Sequence, residues 1–131
     1  MIRRLRKGEQ GQALVEMALV LPLLFLLLFG VIEMGRIGYA YITVSNAARA
    51  GGRTATIGGT DLDINSSIKN AAVSLDPASL TITITPLQSL RQSGQSVTVQ
   101  VSYPVQLVIP IISNVIPNPV IVSASIIMRL E

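Results

Sequence analysis

Residues 11–33 read GQALVEMALVLPLLFLLLFGVIE, and the rest of the chain is organised around this stretch. No charged residue lies between Glu16 and Glu33. A helix over residues 13–33 would rise about 30 Å, which matches the hydrocarbon thickness of a bilayer. The stretch therefore predicts a membrane-spanning helix near the N-terminus, with the carboxylate of Glu16 close to its start.

A basic leader precedes this stretch and predicts its orientation. The whole formal net charge of +3 in the 131 residues comes from this leader, which contains Arg3, Arg4, Arg6 and Lys7 against one acid, Glu9. Basic residues next to a membrane helix stay in the cytoplasm, so we expect the N-terminus inside and the remainder outside. The rest of the chain is neutral and its basic residues are scattered, which argues against nucleic acid as a partner.

The composition also argues against catalysis. The chain has no histidine and no cysteine, which removes the commonest acid–base catalyst and every thiolate metal ligand. Ser67 and Lys69 stand close together, but no further residues of a nucleophilic set accompany them. We therefore predict a protein that is not an enzyme, with no cofactor, no metal and no small-molecule substrate.

The spacing of two residues at the start of the stretch carries a specific signal. Gly11 is followed by four residues and then by Glu16, behind a basic leader and before an apolar helix. This pattern resembles the prepilin peptidase signal of type IV pilins. Residues 11–52 as a whole resemble the TadE-like family, which are pseudopilins of the Flp/Tad pilus system. The motifs that carry the resemblance are the Gly11/Glu16 pair, LPLL at 21–24, Glu33 with Gly35 and Arg36, and NAARAG at 46–51.

The resemblance implies a processed subunit of a pilus assembly system. A prepilin peptidase would cut between Gly11 and Gln12, and Glu16 would pair with the new α-amine of its own chain or a neighbour. Implied partners are the membrane, other pilins or pseudopilins and Tad assembly proteins, in the bacterial cytoplasmic membrane or incorporated in a pilus. Two alternatives remain: a single-pass anchored extracytoplasmic binding or envelope protein that keeps its leader, and an ordinary signal peptide that is removed.

Several residues are candidates for helix packing or subunit contacts. A proline inside the helix predicts a modest kink, and small residues let another helix approach closely. Small residues further on are expected to pack against the globular domain or another subunit. Glu33 and Arg36 are expected to pair near the surface, which contributes about 0.3–0.5 kcal/mol. The candidate contact residues are Pro22, Gly30, Gly35, Gly38, Ala47, Ala50, Gly51, Ile111 and Ile112.

The remainder predicts a small α+β domain. Apolar residues at 64, 68, 71, 72 and 75 have helical spacing after a cap at Thr60 or Asp61. Alternation over 80–85, 97–103 and 120–130 predicts three antiparallel strands, with a bulge or a sheet edge near Pro104. The expected organisation is a cytoplasmic leader at 1–11, a long helix at 12–57 and the extracytoplasmic domain at 60–131.

Residues 108–119, here called the apolar loop, connect the second and third predicted strands. They read VIPIISNVIPNP and contain no charge. Connections normally run through solvent and are polar, so this composition needs an explanation. Two interpretations remain open: its isoleucines cover the open end of the sheet, or they form a surface for a partner subunit or the membrane.

Overall fold

The computed structural model describes residues 2–131, with side chains from residue 9 onward, so most of the predicted leader lies outside the described side chains. Backbone contacts divide the chain into two compact units, Met1–Met34 and Gly35–Glu131. The described elements confirm the predicted α+β class with a long N-terminal helix, a short second helix and an antiparallel sheet. In chain order they are α1 (Ile2–Thr56), α2 (Asp61–Ala71), β1 (Thr81–Thr85), β2 (Ser96–Val105), α3 (Pro110–Ser113) and β3 (Val120–Arg129).

The sheet has the order β1-β2-β3, and both pairings are antiparallel. Strand β2 buries Val97, Val99 and Val101 completely, while the residues between them point to the polar face. This alternation arises because successive side chains of a strand project to opposite faces. One face of the sheet is therefore free to form a core with helices, as the sequence pattern predicted.

The core of the second unit lies between the sheet and the helices α1 and α2. The part of α1 that belongs to this unit contributes small side chains, and α2 contributes Ile64 and Ile68, both with no exposed surface. Full burial of a large aliphatic side chain stabilises a fold by about 1.5–3 kcal/mol. The core residues of α1, α2 and β2 are Ala40, Val44, Ala47, Ala48, Ala55, Ile64, Ile68, Val97, Val99, Val101 and Val105.

Helix α2 begins with a capping box. The backbone N–H of Asp63 donates to Oγ1 of Thr60 at 3.2 Å, and the backbone N–H of Thr60 donates to Oδ2 of Asp63 at 2.9 Å. Of the two residues predicted as the cap, Thr60 and Asp61, the structure therefore has Thr60 in this role. Hydrogen bonds from the side chain and the backbone of Thr60 hold the pKa of Asp63 below its ordinary value.

Two details differ from the sequence prediction. Ala71 was expected on the buried face of α2, but it is exposed because the helix ends there; the turn that follows buries Ala72 and Leu75 instead. The prediction of a bulge at Pro104 is wrong, because the register of β2 with β3 runs unbroken from Ser96 to Val105. The alternative prediction, a sheet edge near Pro104, agrees with the structure, since the pairing of β2 with β1 ends at Ser102 and leaves that side of β2 open.

Candidate functional site

The predicted processing site, Gly11 and Gln12, lies inside α1, because this helix already begins at Ile2. A side chain added at Gly11 would meet nothing within 4 Å. Glycine is one of the weakest helix formers and adopts an extended backbone readily. A protease that binds an extended segment would therefore unwind α1 more easily at this position than at its neighbours.

Glu16 lies one helical turn beyond the predicted processing site. Nε2 of Gln12 donates a hydrogen bond to Oε1 of Glu16 at 3.1 Å. Residues four positions apart share a helix face, which explains the contact. A charged α-amine created at Gln12 would lie within one turn of the same carboxylate.

The apolar part of α1 is long and apolar enough to cross a membrane. Its large side chains are exposed in the chain alone, for example Leu19 at 72% and Leu27 at 63%. A soluble protein rarely exposes such a continuous apolar surface, so lipid or another protein must cover it. Pro22 lies inside this segment, and α1 continues through it.

Three of the candidate glycines of α1 have open space beside them. A Cβ placed at Gly30, Gly35 or Gly38 would meet nothing within 4 Å. Their small size is therefore not needed for packing within the described chain. The room at these positions is available to lipid or to another helix, and their role in subunit contacts stays a prediction.

Other small residues of α1 lie in the core of the second unit. Ala47 is completely buried, and a Cβ at Gly51 would lie 2.6 Å from Cγ1 of Ile68 and 3.3 Å from Cγ1 of Val99. Only a residue without a side chain fits at this approach. Ala50 is half-buried and lines an open groove of about 460 Å³ between α1 and β3. The other residues that line this groove are Asn46, Arg49, Arg53, Ile126 and Met128.

Glu33 is only 3% exposed, so the surface position expected from the sequence is wrong. A buried carboxylate requires a polar or charged partner, and Glu33 does not lack one. Arg36, three residues later, donates from Nη2 to the carbonyl oxygen of Gln106 at 3.2 Å. This bond holds the chain just before the apolar loop next to the start of the second unit.

The apolar loop contains the short helix α3 and exposes much of its surface. Ile111 is 61% exposed, and Val115 is 83% exposed, whereas Ile112 is half-buried. Its base is closed by a hydrogen bond from the N–H of Leu107 to Oδ1 of Asn118 at 3.0 Å. The loop therefore has a defined conformation and presents aliphatic side chains outward.

Sequence reasoning missed an ion pair that fixes the start of α2. Nη2 of Arg91 is paired with Oδ1 of Asp61, and Nε donates to the carbonyl oxygen of Pro86 at 3.1 Å. Arg91 is the only charged residue between Asp76 and Arg129, which was the available signal. Its side chain is 8% exposed, so the pair anchors the segment before β2 rather than forming a surface site.

The residues that the structure describes include no group of three or more His, Cys, Asp or Glu side chains that could hold a metal ion. The chemistry at the candidate site is instead that of one carboxylate, Glu16, at the start of an apolar helix. This arrangement can pair with a cation and can present an apolar surface to lipid or to a similar helix.

The fold and the site define a protein with an N-terminal candidate membrane span and a small α+β unit. A family model described as TadE-like protein matches residues 11–53, which confirms the TadE-like resemblance. Comparison with curated proteins gave no match, and neither did comparison with solved structures. The match and the candidate span together support a Tad-associated membrane protein.

Proposed function

We propose that this chain is a non-catalytic pseudopilin that helps to build a Tad (Flp) type IV pilus or a related secretion machinery. The observation that carries the proposal is the extent of the family match. It begins at Gly11, includes Glu16 and the whole uncharged apolar stretch of residues 17–32, and ends at residue 53, shortly before α1 ends. The apolar part of α1 inserts into the bacterial cytoplasmic membrane, with the N-terminus in the cytoplasm and residues 35–131 outside.

A prepilin peptidase removes residues 1–11 on the cytoplasmic side. The leader holds four basic residues and one acidic residue, so cleavage takes the formal net charge from +3 to 0. It also removes the charges that hold the N-terminus at the membrane surface. The mature chain can then move along the membrane normal without dragging a basic segment into lipid.

Glu16 directs assembly after cleavage. A carboxylate inside a membrane costs about 2–3 kcal/mol unless it is paired. The new α-amine at Gln12 of the same chain or a neighbour supplies the opposite charge. In support, Nε2 of the Gln12 side chain donates to Oε1 of Glu16 at 3.1 Å, so residues 12 and 16 lie on one face of the helix. Neighbouring subunits then cover the exposed apolar surface of α1, with closest approach at Gly30, Gly35 and Gly38.

The test is the mass of the mature chain in cells that contain a prepilin peptidase. We expect the wild-type chain to lack residues 1–11, and Gly11→Arg to keep them while still inserting into the membrane. Gly8→Arg is the matched control, because it adds the same charge to the same leader and should be cleaved normally. A wild-type chain that keeps its leader would support the alternative of a single-pass anchored envelope protein.

A second variant separates cleavage from assembly. Glu16→Gln preserves the size of the side chain and removes its charge, so it should be cleaved but should no longer crosslink to neighbouring pilins through α1. Crosslinking at wild-type yield in Glu16→Gln would contradict the assigned role of this carboxylate, whatever the state of the leader.

A further inference from the structure

The apolar loop is not explained by the packing of the domain that carries it. Four of its six aliphatic side chains are exposed, and they lie in a run from residue 92 to residue 128 without any charged residue. Insertion of this surface into a lipid interface would therefore require no desolvation of charge. The exposed side chains are Val108 at 70%, Ile111 at 61%, Val115 at 83% and Ile116 at 40%.

Several backbone N–H groups of the loop are hydrogen-bonded within the loop itself, which suits an apolar environment. The N–H of Ser113 donates to the carbonyl oxygen of Ile109 at 3.1 Å, and the N–H of Ile116 donates to that of Ile112 at 3.0 Å. Prolines at 110, 117 and 119 carry no N–H at all. Lipid penalises unsatisfied backbone groups by several kcal/mol each, so internal bonding of this kind favours insertion.

The position of the loop along the chain relative to α1 favours lipid as the partner of its exposed surface. Arg36 bonds to the carbonyl of Gln106, two residues before the loop, at 3.2 Å. Arg36 itself follows Met34, the last residue of the apolar unit, by only two positions. The start of the loop is therefore held within one arginine side chain of the place where α1 changes from apolar to mixed composition.

Aromatic residues mark the same level of α1. Tyr39 is 58% exposed and Tyr41 is 53% exposed. Tyrosine prefers the boundary between lipid headgroups and hydrocarbon. A bilayer that surrounds the apolar part of α1 would place its outer interface close to these residues, since they follow Met34 by only five and seven positions.

We infer that the apolar loop inserts Val108, Ile111, Val115 and Ile116 into the outer-leaflet interface and holds the second unit against the bilayer. The inference rests on the proposed membrane insertion of α1. It assigns lipid, rather than another subunit, as the occupant of this surface. The domain then has two membrane attachments, one through the chain at residue 34 and one through the loop.

The absence of cysteine makes a site-specific test direct. The full chain is placed in vesicles of phosphatidylethanolamine and phosphatidylglycerol, with an environment-sensitive fluorophore on one introduced cysteine. The test variant is Ile111→Cys. Leu62→Cys is the matched control, because Leu62 is 81% exposed on α2 and follows the far end of α1. That end lies about 30 Å along the helix from Arg36. Leu19→Cys reports insertion of the span.

Spin-labelled lipids should quench the fluorophore at Ile111 to an extent comparable with Leu19 and should leave Leu62 unquenched. Quenching at Leu19 with none at Ile111 would overturn the inference and leave the membrane insertion standing. Absence of quenching at both positions would overturn the insertion and the inference together. Shielding of Ile111 from a water-soluble thiol reagent without lipid quenching would indicate a protein contact and would also overturn it.

Val115→Asp provides an independent check. Val115 is 83% exposed, so the substitution should leave unfolding of the domain unchanged. The new charge should markedly reduce lipid quenching at position 111, because the carboxylate resists transfer into the interface. Unchanged quenching in this variant would argue that the side chains at 111 and 115 do not enter lipid together.

Discussion

The two halves of α1 use apolar residues in opposite ways. In residues 12–34 the large apolar side chains are exposed by 40–72%. In residues 35–56 the buried residues are small, and Val44, Ala47, Ala48 and Ala55 are at most 1% exposed. Burial within the chain therefore does not follow hydrophobicity along this helix. Large side chains are left for lipid or partners, while small ones allow a close approach of helix and sheet.

This difference follows from what each surface must fit. A lipid tail adapts to any side-chain shape, so leucine and phenylalanine can fill the first half without a matching partner. A folded core has one set of neighbours at fixed positions and is packed as densely as a crystal. Helix α1 lies so close to α2 and β2 that Gly51 has no room for a side chain.

A matched pair of glycine substitutions gives the strongest test of the contrast between the two halves of α1. Gly51→Val places atoms within 2.6 Å of Ile68, which is fully buried and has little freedom to move. We expect it to lower the free energy of unfolding of the second unit by about 2–3 kcal/mol. Gly30→Val, in the first half, meets nothing within 4 Å and should have little effect.

Urea unfolding of the full chain in detergent, followed by tyrosine fluorescence, measures this difference. Equal destabilisation by Gly51→Val and Gly30→Val would show that the close approach at Gly51 is not what distinguishes the halves.

A deletion of side-chain volume tests the same contrast from the other direction. Val44→Ala removes two methyl groups from a fully buried position, and we expect it to cost about 2 kcal/mol of unfolding free energy. Leu19→Ala removes more apolar volume, but Leu19 is 72% exposed and should leave the unfolding of the second unit unchanged. The same urea titration compares them, and a larger loss in Leu19→Ala would reverse our interpretation.

The smallest expected effect concerns the cap of α2, which supports the core beneath α1. Thr60→Ala removes the capping box and should cost about 1 kcal/mol at neutral pH. The bonds from Thr60 lower the pKa of Asp63, so the stabilisation is present above the ordinary value of 3.8 and is lost as the pH falls through the lowered pKa. The difference between Thr60→Ala and wild type should therefore shrink in acid. A difference that grows in acid would contradict the assigned cap.

Much of the fold could be predicted because its signals are local. The spacing of Ile64 and Ile68 indicated α2, and Thr60 precedes it as a cap. The alternation of Val97, Val99 and Val101 indicated a strand with one buried face. The candidate span required only length and the absence of charge. In each of these cases neighbouring residues along the chain carry the whole pattern.

The contacts that could not be predicted join residues far apart in the sequence. Arg91 meets Asp61 across 30 positions, and Gly51 meets both Ile68 and Val99. Glu33 was expected near the surface, and its exposure of only 3% was not visible in the spacing of the helix. Periodicity identifies which face of an element is buried, but it does not identify the side chain that lies opposite.

The central position of β2 also determines which part of the second unit opens last. Residues 98–102 are the positions of β2 that have partners in both β1 and β3. Separating them from the sheet breaks two ladders at once and exposes Val99 and Val101, which are fully buried. The free energy of local opening should be highest there, since local stability rises with paired backbone and buried contacts. The strand beneath Gly51 is thus the most persistent part of the unit, and fluctuations begin at the two outer strands.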